Sequence, residues 1–458
     1  MYLRLITPLL APIILTPALI AQDTRTVTEP VIPPPCATLD AQLTASGNTL
    51  APADETMLDT ARIQQAIDHC AKGHGVLLSA SGANNAFLSG PLELREGVTL
   101  IIGKGVTLFA SRDPSLYAVT PGSCGIVRHS PGPRGCKPLI SVDHAPNSAV
   151  MGDGVIDGRG GEKMLGSRDS WWDLAEQARP GGGQQCFRLI VAQNSDSFTL
   201  YRITLKNSPN FHVVYGHGDG FTVWGLKIDT PQRLARNTDG VDPGPDVRNV
   251  TITHSYIRTG DDNVAIKGGT PNGVTNVTVY HNHFYWGHGM SIGSETNGGV
   301  SKIRVSDLSL DGPDNGIRIK SNGSRGGLTH DVVYDDVCIR NSPNPITLDT
   351  AYAANGPLKG NSPPSMRDVT LHNVRISGGG KITFNGYDHT HRLGVALSAV
   401  QITDDARYTY IVRHADIALG PNPTNLRLPA GEDSIITGKP ADGAAASCAA
   451  MFVPFPQQ

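Results

Sequence analysis

The chain of 458 residues has little charge of either sign, because Asp, Glu, Lys and Arg together make up 17% of it. Its formal net charge of −3 is too close to neutral to indicate a nucleic-acid partner. A polyanionic ligand would have to be attracted by a local cationic cleft and not by the molecule as a whole. Hydrophobic residues, at 39%, exclude a largely disordered chain.

The sequence also lacks the Cys-x-x-Cys pairs that hold structural zinc. Its seven cysteines are an odd number. Cys36 and Cys70 flank an N-terminal segment, and Cys124 and Cys136 flank a short Gly/Pro-rich loop. In an exported protein these two local pairs are the predicted disulfides. The remaining three are left open as buried thiols or partly paired residues: Cys186, Cys338 and Cys448.

Long apolar runs are absent after the first 21 residues, MYLRLITPLLAPIILTPALIA. This segment has a single charge, Arg4, then an apolar run interrupted by prolines, and small residues near Ala21. The pattern predicts a secretory signal peptide over residues 1–21. An uncleaved anchor is the alternative, but the prolines and the short run argue against a spanning helix. We expect a secreted protein, extracellular or periplasmic in transit, with no membrane partner.

Helical periodicity is scarce, and 52 glycines with 33 prolines indicate a chain full of turns. Residues 57–72 carry the clearest helical pattern, in which Ile63, Ile67 and Cys70 recur at helical spacing. Asp59 or Thr60 could cap its start. This helix is expected to cover the open N-terminal end of the core.

Short alternating β-runs dominate the rest of the chain. Seven of them, in which β-branched or aromatic residues alternate with polar ones before a turn, start 23, 29, 27, 26, 29 and 37 residues apart. This spacing predicts an all-β fold, a right-handed parallel β-helix, over residues 22–420. An antiparallel sandwich or a propeller is the alternative. The runs are FTLYRITL from Phe198, FTVWGLKI from Phe221, VTITHSYI from Val250, VTVYHNHF from Val277, IRVSDLSL from Ile303, VVYDDVCI from Val332 and VTLHNVRI from Val369.

Three segments break this rhythm. Residues 112–137 and 160–185 are rich in Gly, Pro and charge, and they are predicted to be long loops at the rim of a cleft. Residues 421–458 are Pro/Ala/Gly-rich without a repeat, and they are predicted to form a loosely docked tail.

Four short polar signatures follow one another, and their lead residues lie 23, 27 and 31 residues apart, each about the length of one solenoid coil. If each occupies the same place on successive coils, three carboxylates, one imidazole and two cations converge on one face. The signatures are Asn237-Thr238-Asp239, Gly260-Asp261-Asp262, Gly287-His288-Gly289 and Arg318-Ile319-Lys320.

These groups suit hydrolysis of a glycosidic bond, which needs a proton for the leaving oxygen and a base to activate water. Asp239, Asp261 and Asp262 offer both, and crowding of like charges raises the pKa of at least one carboxyl. The alternative is that each Asp only caps backbone amides in a turn. A like-charge pair costs stability, which favours the catalytic interpretation.

His288 lies between two glycines, which would let the backbone approach a ligand closely. It is predicted to hydrogen-bond the acid and not to act as a nucleophile. Arg318 and Lys320 lie two apart and share one face of a strand. Side by side they repel unless an anion is near, and a uronic acid carboxylate on the substrate would supply one. A solvated cationic face is the alternative.

His281 and His283 also share a strand face, but no third ligand follows at a telling spacing. A solvent-facing stripe is therefore the preferred interpretation. We predict no metal site and no cofactor.

With these residues in place, the chain resembles the polygalacturonases of glycoside hydrolase family 28, and its pattern is similar to that of bacterial secreted endopolygalacturonases. The resemblance covers most of residues 30–400. The matching motifs are NTDGVDP (237–243), GDDNVAIK (260–267), GHGMSIGSE (287–295), GIRIKS (316–321), NSPNFHVV (207–214) and SWWDLA (170–175).

The resemblance implies a parallel β-helix and hydrolysis of α-1,4-galacturonan with inversion. It implies that Asp261 is the general acid, that Asp239 and Asp262 activate water, and that His288 supports the protonation state of the acid. The resemblance also implies roles in substrate binding. Arg318 and Lys320 would hold substrate carboxylates, Asn237 would position substrate or base, and Tyr352 in DTAYAAN would contact substrate.

Several alternatives stay open. The absence of a large inserted domain favours endo over exo action. A pectate lyase would need Ca²⁺ and a base for the C5 proton, and a rhamnogalacturonan hydrolase should not carry the whole motif set. A non-catalytic polysaccharide-binding β-helix, such as an adhesin, is the alternative from another functional class. The predicted partner is polygalacturonate or pectin, bound by a monomer.

Overall fold

The computed structural model describes residues 23–457, apart from residues 48, 180, 354–359 and 445. The predicted signal peptide over residues 1–21 lies outside the described residues. None of the helices within the described part of the chain is both long enough and apolar enough to cross a membrane.

The described chain winds into a solenoid built on two stacks of parallel strands, which confirms the predicted parallel β-helix. We call the 21-stranded stack the long sheet and the 11-stranded stack the cleft sheet. In the long sheet the first residues of the predicted runs pair with one another, so the spacing in the sequence is the register of the coils. The pairs are Phe221 with Val250, Val250 with Val277, Val277 with Ile303, Ile303 with Val332 and Val332 with Val369.

The long sheet contains both halves of most predicted runs. Its strands are Pro35–Asp40, Gly75–Ser79, Ala86–Ser89, Thr99–Ile102, Thr107–Ala110, Ala149–Met151, Val155–Asp157, Thr199–Tyr201, Thr204–Lys206, Gly218–Trp224, Lys227–Asp229, Val247–Thr253, Tyr256–Arg258, Val274–Phe284, Val300–Asp311, Leu328–Arg340, Ser365–Met366, Val369–Ser377, Leu393–Ile402, Ala415–Leu419 and Ile435–Thr437.

The cleft sheet has one short strand per coil. Its strands are Leu92–Glu93, Ile140–Asp143, Ile190–Gln193, Val213–Gly216, Val241–Pro243, Val264–Ile266, Met290–Ile292, Asn315–Lys320, Asn344–Asp349, Gly380–Asn385 and Tyr408–Arg413.

Each predicted run bends at its fifth residue, because that residue has left-handed backbone. His254, His281 and Asp307 have φ values of 53°, 53° and 46° at this place on three successive coils. Asn, Asp and His tolerate this conformation better than bulky or β-branched residues do. The bend divides the long sheet lengthwise, which the alternation in the sequence did not predict.

The apolar side chains of both sheets point into one continuous core. Val250, Val277 and Ile303 of the long sheet and Val264 and Met290 of the cleft sheet are all fully buried in it. Every coil adds a layer to this core and contacts its two neighbours, so the coils are stable only as a stack.

The predicted helix at 57–72 is present and shorter, spanning Thr60–Asp68. Its Ile63 and Ile67 are fully buried against the first coils, so it covers the open end of the core as predicted. Asp59 occupies the N-cap position, but its carboxylate accepts the backbone N–H of Leu88 at 2.9 Å and does not cap the helix. It therefore ties the helix to the first coils.

The two segments that break the rhythm contain short elements of their own. Residues 112–137 include the helix Pro114–Tyr117 and the strand Ile126–Arg128, and residues 160–185 include the helix Trp171–Gln177 and the strand Gly183–Gln185. The two strands pair antiparallel, so the loops support each other. Stacked rings of Tyr117 and Phe187, with centroids 4.0 Å apart, anchor them to the core.

Disulfides close three segments. The predicted bonds Cys36–Cys70 and Cys124–Cys136 are present, a third joins Cys338 to Cys448, and Cys186 is a buried free thiol. The third bond spans 110 residues, and such a distant pair cannot be read from local spacing.

The tail is attached more firmly than predicted. Besides the bond at Cys448, its strand Ile435–Thr437 extends the long sheet and its Leu426 is fully buried. The ring of Phe455 lies 3.9 Å from the guanidinium carbon of Arg258. The tail therefore packs along the solenoid, because this contact removes apolar rings of the tail, such as that of Phe455, from water.

His281 and His283 contact side chains on the next coil. His281 contacts the carboxylate of Asp307 on the next coil, and Nδ1 of His283 lies 2.8 Å from Oγ of Ser309. Both imidazoles therefore have polar neighbours on the next coil.

Candidate active site

The four signatures meet at one edge of the cleft sheet. Val241 pairs with Val264, Val264 with Met290, and Met290 with Ile317. Asp239, Asp262 and His288 each lie two residues before one of these paired strand residues. The register therefore places the three in one column on neighbouring coils. Neighbouring coils are about 4.8 Å apart, so side chains in such a column can touch.

Asp261 and His288 form one pair of the site. Nδ1 of His288 lies 3.0 Å from Oδ1 of Asp261, and the backbone N–H of His288 donates to the Asp261 carbonyl at 2.8 Å. Burial acts to raise the pKa of Asp261, but the charge and hydrogen bond of His288 outweigh it and hold that pKa below its usual range. The pKa of His288 is raised, because the Asp261 carboxylate outweighs the opposite effect of burial. Both shifts favour an ionised Asp261 beside a protonated His288.

The two glycines beside His288 serve packing between coils. Gly287 has φ of 125°, and a Cβ there would lie 2.8 Å from the carbonyl oxygen of Asp261. A Cβ on Gly289 would lie 2.0 Å from the carbonyl oxygen of Asn315. The glycines thus allow close approach of the neighbouring coils, and close approach of a ligand stays a prediction.

Asp262 is the most heavily bonded carboxylate of the site. It accepts hydrogen bonds from Lys320 Nζ at 2.6 Å, Arg318 Nη1 at 3.2 Å and Ser291 Oγ at 2.7 Å. Burial acts to raise its pKa, but the charges of Lys320 and Arg318 outweigh it and lower that pKa. The anion that keeps the two cations together is thus Asp262 itself, where the sequence interpretation expected a substrate carboxylate.

Asp239 is held differently. Its Oδ2 accepts from Lys267 Nζ at 2.9 Å, and its Oδ1 is buried without a hydrogen-bond partner among the described residues. Burial raises its pKa well above the ordinary value, with Lys267 opposing and Asp242 reinforcing the shift. Of the three predicted carboxyls, Asp239 is the one whose proton affinity is increased.

His212 fixes the backbone of Asp239. Its Nδ1 lies 3.0 Å from the Asp239 carbonyl oxygen, and its Nε2 lies 2.8 Å from Oγ1 of Thr230. Since a carbonyl can only accept, Nδ1 carries the proton and Nε2 accepts from the hydroxyl. Burial lowers the pKa of His212 to about 4, so the ring stays neutral in this role.

Asn237 and Tyr352 line the same cleft as Asp261 and His288. Asn237 has left-handed backbone, with φ of 56°, at the turn that leads to Asp239. The ring centroid of Tyr352 lies 5.2 Å from the Arg318 guanidinium carbon and 5.2 Å from Lys320 Nζ. The structure therefore brings every predicted site residue to one cleft.

The predicted rim loops form one wall of this cleft. A hollow of about 740 Å³ opens beside Asp261 and His288, and residues of both loops line it. We call it the arginine hollow, because four arginines line it: Arg134, Arg179, Arg233 and Arg236.

A second hollow, of about 240 Å³, lies farther along the cleft sheet. We call it the amide hollow after Asn315, Asn344 and Asn385, and it also contains Lys381 and Arg413. The carboxylates lie between the two hollows, so the polar groove continues on both sides of the acidic residues.

A family model described as "Glycosyl hydrolases family 28" matches residues 83–416. The chain belongs to glycosyl hydrolase family 28. A solved polygalacturonase from Erwinia carotovora ssp. carotovora matches with a TM-score of 0.79 at 40% identity, covering 86% of this chain and 100% of that one.

Curated relatives agree with this assignment to family 28. An endo-polygalacturonase of Pectobacterium carotovorum subsp. carotovorum is 42% identical over 390 residues, 85% of this chain and 92% of the relative. A polygalacturonase of Ralstonia nicotianae is 38% identical over an alignment of 494 residues, 93% of this chain and 92% of the relative. The resemblance seen in the sequence is confirmed, and the chain is a glycoside hydrolase.

Sequence reasoning missed four contributors to this family 28 site. They lie inside the motif strings or next to them, but none had a spacing that set it apart from a solvated or core residue. A carboxylate three residues after Asp239, and a lysine five residues after Asp262, were the available signals. The missed residues are His212, Asp242, Lys267 and Ser291.

One ligand atom each of Asp261, Asp262 and His288 lies within 4.8 Å of the others, a spacing that a metal ion could bridge. Arg318 and Lys320 already contact Asp262, and their positive charges would repel a further cation. These charges argue against a metal here; the absence of a metal stays a prediction, which activity in the presence of a chelator tests.

Proposed function

We propose that this family 28 chain is an endo-acting, inverting hydrolase of the α-1,4-galacturonosidic bonds of polygalacturonate. The observation that carries the proposal is the set of stacked carboxylates in the middle of an open cationic groove. Asp261 with His288 supplies a proton, and Asp239 supplies a base whose Oδ1 is free to accept from water. The names of the 42% and 38% identical relatives support the same substrate.

In this mechanism Asp261 protonates the leaving glycosidic oxygen. His288 holds the proton at its Nδ1, hydrogen-bonded to Oδ1 of Asp261, until the substrate fills the cleft and displaces water. Exclusion of water favours the neutral pair over the ion pair, because charges are less well solvated there. The proton then lies on the Asp261 carboxyl, which gives it to the leaving oxygen.

Asp239 accepts a proton from the attacking water, while Asp262 orients that water. Asp262 is a weak base, because three donors already bind it, whereas Oδ1 of Asp239 has no donor within the described part of the chain. Attack on the face opposite the leaving group inverts the anomeric configuration. Proton NMR of the first-formed product measures this, and initial release of the α-anomer would contradict inversion.

A polyanionic substrate suits the charges of the groove. Arg188 extends the column of Asp239 by two coils towards the arginine hollow, and its guanidinium carbon lies 4.7 Å from the ring centroid of Phe211. Burial, reinforced by Arg134, lowers the pKa of Arg188 to about 9, although the charges of Asp242 and Asp239 oppose the shift. A substrate carboxylate would relieve the repulsion between Arg188 and Arg134. Another could bind the N–H groups of Arg318 that do not contact Asp262.

Endo action follows from a groove that continues on both sides of the carboxylates, through the arginine hollow and the amide hollow. A chain can then cross the site without presenting an end. We further propose that the protein is exported, as its three disulfides suit an oxidising compartment, and that it acts as a monomer.

The test is an early-time product profile on polygalacturonate with chelator present, resolved by chain length. We expect a spread of saturated oligomers. Release of only mono- or disaccharide would make the enzyme exo-acting, and products absorbing ultraviolet light would indicate a lyase. Bound but intact polymer would favour a non-catalytic polysaccharide-binding protein.

A further inference from the structure

Lys267 connects Asp239 to a second buried carboxylate that has no assigned role. Its Nζ lies 2.9 Å from Oδ2 of Asp239 and 3.0 Å from Oδ2 of Asp242. The side chains of both carboxylates are 4% exposed, and that of Lys267 is 21% exposed. One ammonium group therefore serves two carboxylates that are almost completely removed from water.

The solenoid fixes this arrangement. Asp242 lies on the strand Val241–Pro243, and Lys267 directly follows the strand Val264–Ile266 on the next coil. The ring centroid of Phe211, one coil earlier, lies 4.3 Å from Lys267 Nζ. The ammonium is thus held from three successive coils, which leaves it little freedom to move towards one carboxylate alone.

The carboxylates have few other donors. The Oδ1 atoms of Asp239 and Asp242 are buried and receive no hydrogen bond from the described residues, and Oδ2 of Asp242 is reached by Lys267 Nζ. The ion pair with Lys267 is then the main compensation for two buried charges, and each carboxylate weakens the hold of Lys267 on the other.

The surroundings add charges of both signs. The groups that face Asp239, Asp242 and Lys267 from the neighbouring coils and loops are Asp261, Asp262, Arg188 and Glu295. Burial raises the pKa of Asp242 to about 6, with Lys267 opposing the shift. The pKa of Lys267 is raised, because Asp239 and Asp242 outweigh its burial, so the ammonium keeps its charge.

We propose that Lys267 and Asp242 are positioning residues that together set the charge on Asp239, with Lys267 favouring the ionised carboxylate and Asp242 opposing it. The proposal rests on the assignment of Asp239 as the base. Without Asp242, the ammonium of Lys267 would act on Asp239 alone and lower its proton affinity. Asp242 takes part of the field of the ammonium and restores proton affinity to Asp239.

The experiment compares the pH dependence of kcat/KM on polygalacturonate for wild type, Asp242→Asn and Lys267→Met. The acid limb reports the base of the free enzyme, which must be ionised to accept a proton. We expect Asp242→Asn to move this limb to lower pH and Lys267→Met to move it to higher pH, each by about 1 unit. Lys267→Arg, which keeps the charge, should leave the limb within about half a unit of wild type.

Opposite displacements are the decisive result, because loss of packing alone lowers activity without moving the limb. Unmoved limbs, or limbs that move in the same direction, would overturn the proposal. If Lys267→Met does not fold, the other two variants still test the proposal. The acid limb should move to lower pH in Asp242→Asn and stay in place in Lys267→Arg.

A substrate-free measurement separates this proposal from the proposed function. Difference titration of carboxyl protons by isotope-edited NMR, on wild type and Asp242→Asn, follows Asp239 directly. We expect its midpoint to fall in the variant, and an unchanged midpoint would overturn the coupling. If wild type releases no reducing ends from polygalacturonate, the proposed function is wrong, and this titration decides the coupling by itself.

Discussion

The long sheet and the cleft sheet share one core but use their outer faces in different ways. On the long sheet, several pairs of outward charges on neighbouring coils stay in contact with water, as in the pair of Arg340 with Asp311, whose side chains are 41% and 25% exposed. On the cleft sheet, the pair of Lys320 with Asp262 is 6% and 1% exposed.

This difference indicates where the function lies. An exposed ion pair contributes about 0–1 kcal/mol and can occur anywhere on a soluble surface. A cluster of buried carboxylates and cations costs desolvation energy that simple apolar packing would avoid. The same solenoid register builds both sheets, so the buried charge of the cleft sheet is explained by chemistry and not by folding.

The largest expected difference between the sheets is catalytic. Asp261→Asn removes the proton donor paired with His288, and we expect turnover of polygalacturonate to fall by about 10²–10⁴-fold with binding retained. Asp311→Asn makes the same chemical change on the long sheet and should leave turnover unchanged. Initial rates and a binding isotherm on the same polymer measure both. Equal losses in the two variants would contradict a site confined to the cleft sheet.

The next effect concerns stability. Lys320→Met breaks one contact to Asp262, and we expect a loss of about 3 kcal/mol, since Arg318 and Ser291 still bind that carboxylate. Arg340→Met breaks an exposed pair and should cost at most about 1 kcal/mol. Urea unfolding at neutral pH compares them. A larger loss for Arg340→Met would mean that burial does not govern these pairs.

The sheets should also differ in the sign of their pH dependence. Asp242 has a folded pKa of about 6, above its unfolded value of about 4. Between these two pH values, the folded state therefore binds more protons than the unfolded state does. Wild type therefore loses stability over this window, and Asp242→Asn, which lacks the group, should gain up to about 3 kcal/mol relative to it.

Asp219 of the long sheet provides the matched control. Burial acts to raise its pKa, but Arg248 and Asn249 outweigh it and lower that pKa. Its contribution to stability is present above the unfolded pKa and is lost as pH falls. Asp219→Asn should therefore lose stability relative to wild type as pH rises from acid. Urea unfolding across this range checks both variants, and the same sign for both would refute the assigned environments.

The smallest difference is expected inside the core, where the two sheets should behave alike. Ile292→Val on the cleft sheet and Ile303→Val on the long sheet each remove one methylene from a fully buried side chain. Both should cost about 0.5–1.5 kcal/mol and leave kcat within twofold of wild type. A large effect on kcat from Ile292→Val alone would show that core packing under the cleft also positions the carboxylates.

The coils were predictable from the sequence because each run carries its own alternation and its own turn. The interval from Val250 to Val277 is also the register of their pairing, since a solenoid coil contacts only its neighbours. The helix at Thr60–Asp68 was predictable for the same local reason. The left-handed bend at His254 was not, because Asn, Asp and His occur in strands and turns alike.

That the signature residues lie together was also predictable, because they recur at coil intervals, although His212, Asp242, Lys267 and Ser291 were missed. What each residue contacts was not. Asp262 with Arg318, 56 residues away, and Lys267 with both Asp239 and Asp242 depend on side-chain reach between coils. The bond from Cys338 to Cys448 likewise joins residues 110 apart.

The sequence by itself determined the solenoid, the order of its coils and the chemical groups that share one face. These follow from local periodicity repeated along a one-dimensional stack. Only the tertiary structure decided which carboxylate is neutralised by Arg318 and Lys320, which one shares Lys267, and which one pairs with His288. Those choices set the proton affinity of each group, because burial and the nearest charge act through space and not along the chain.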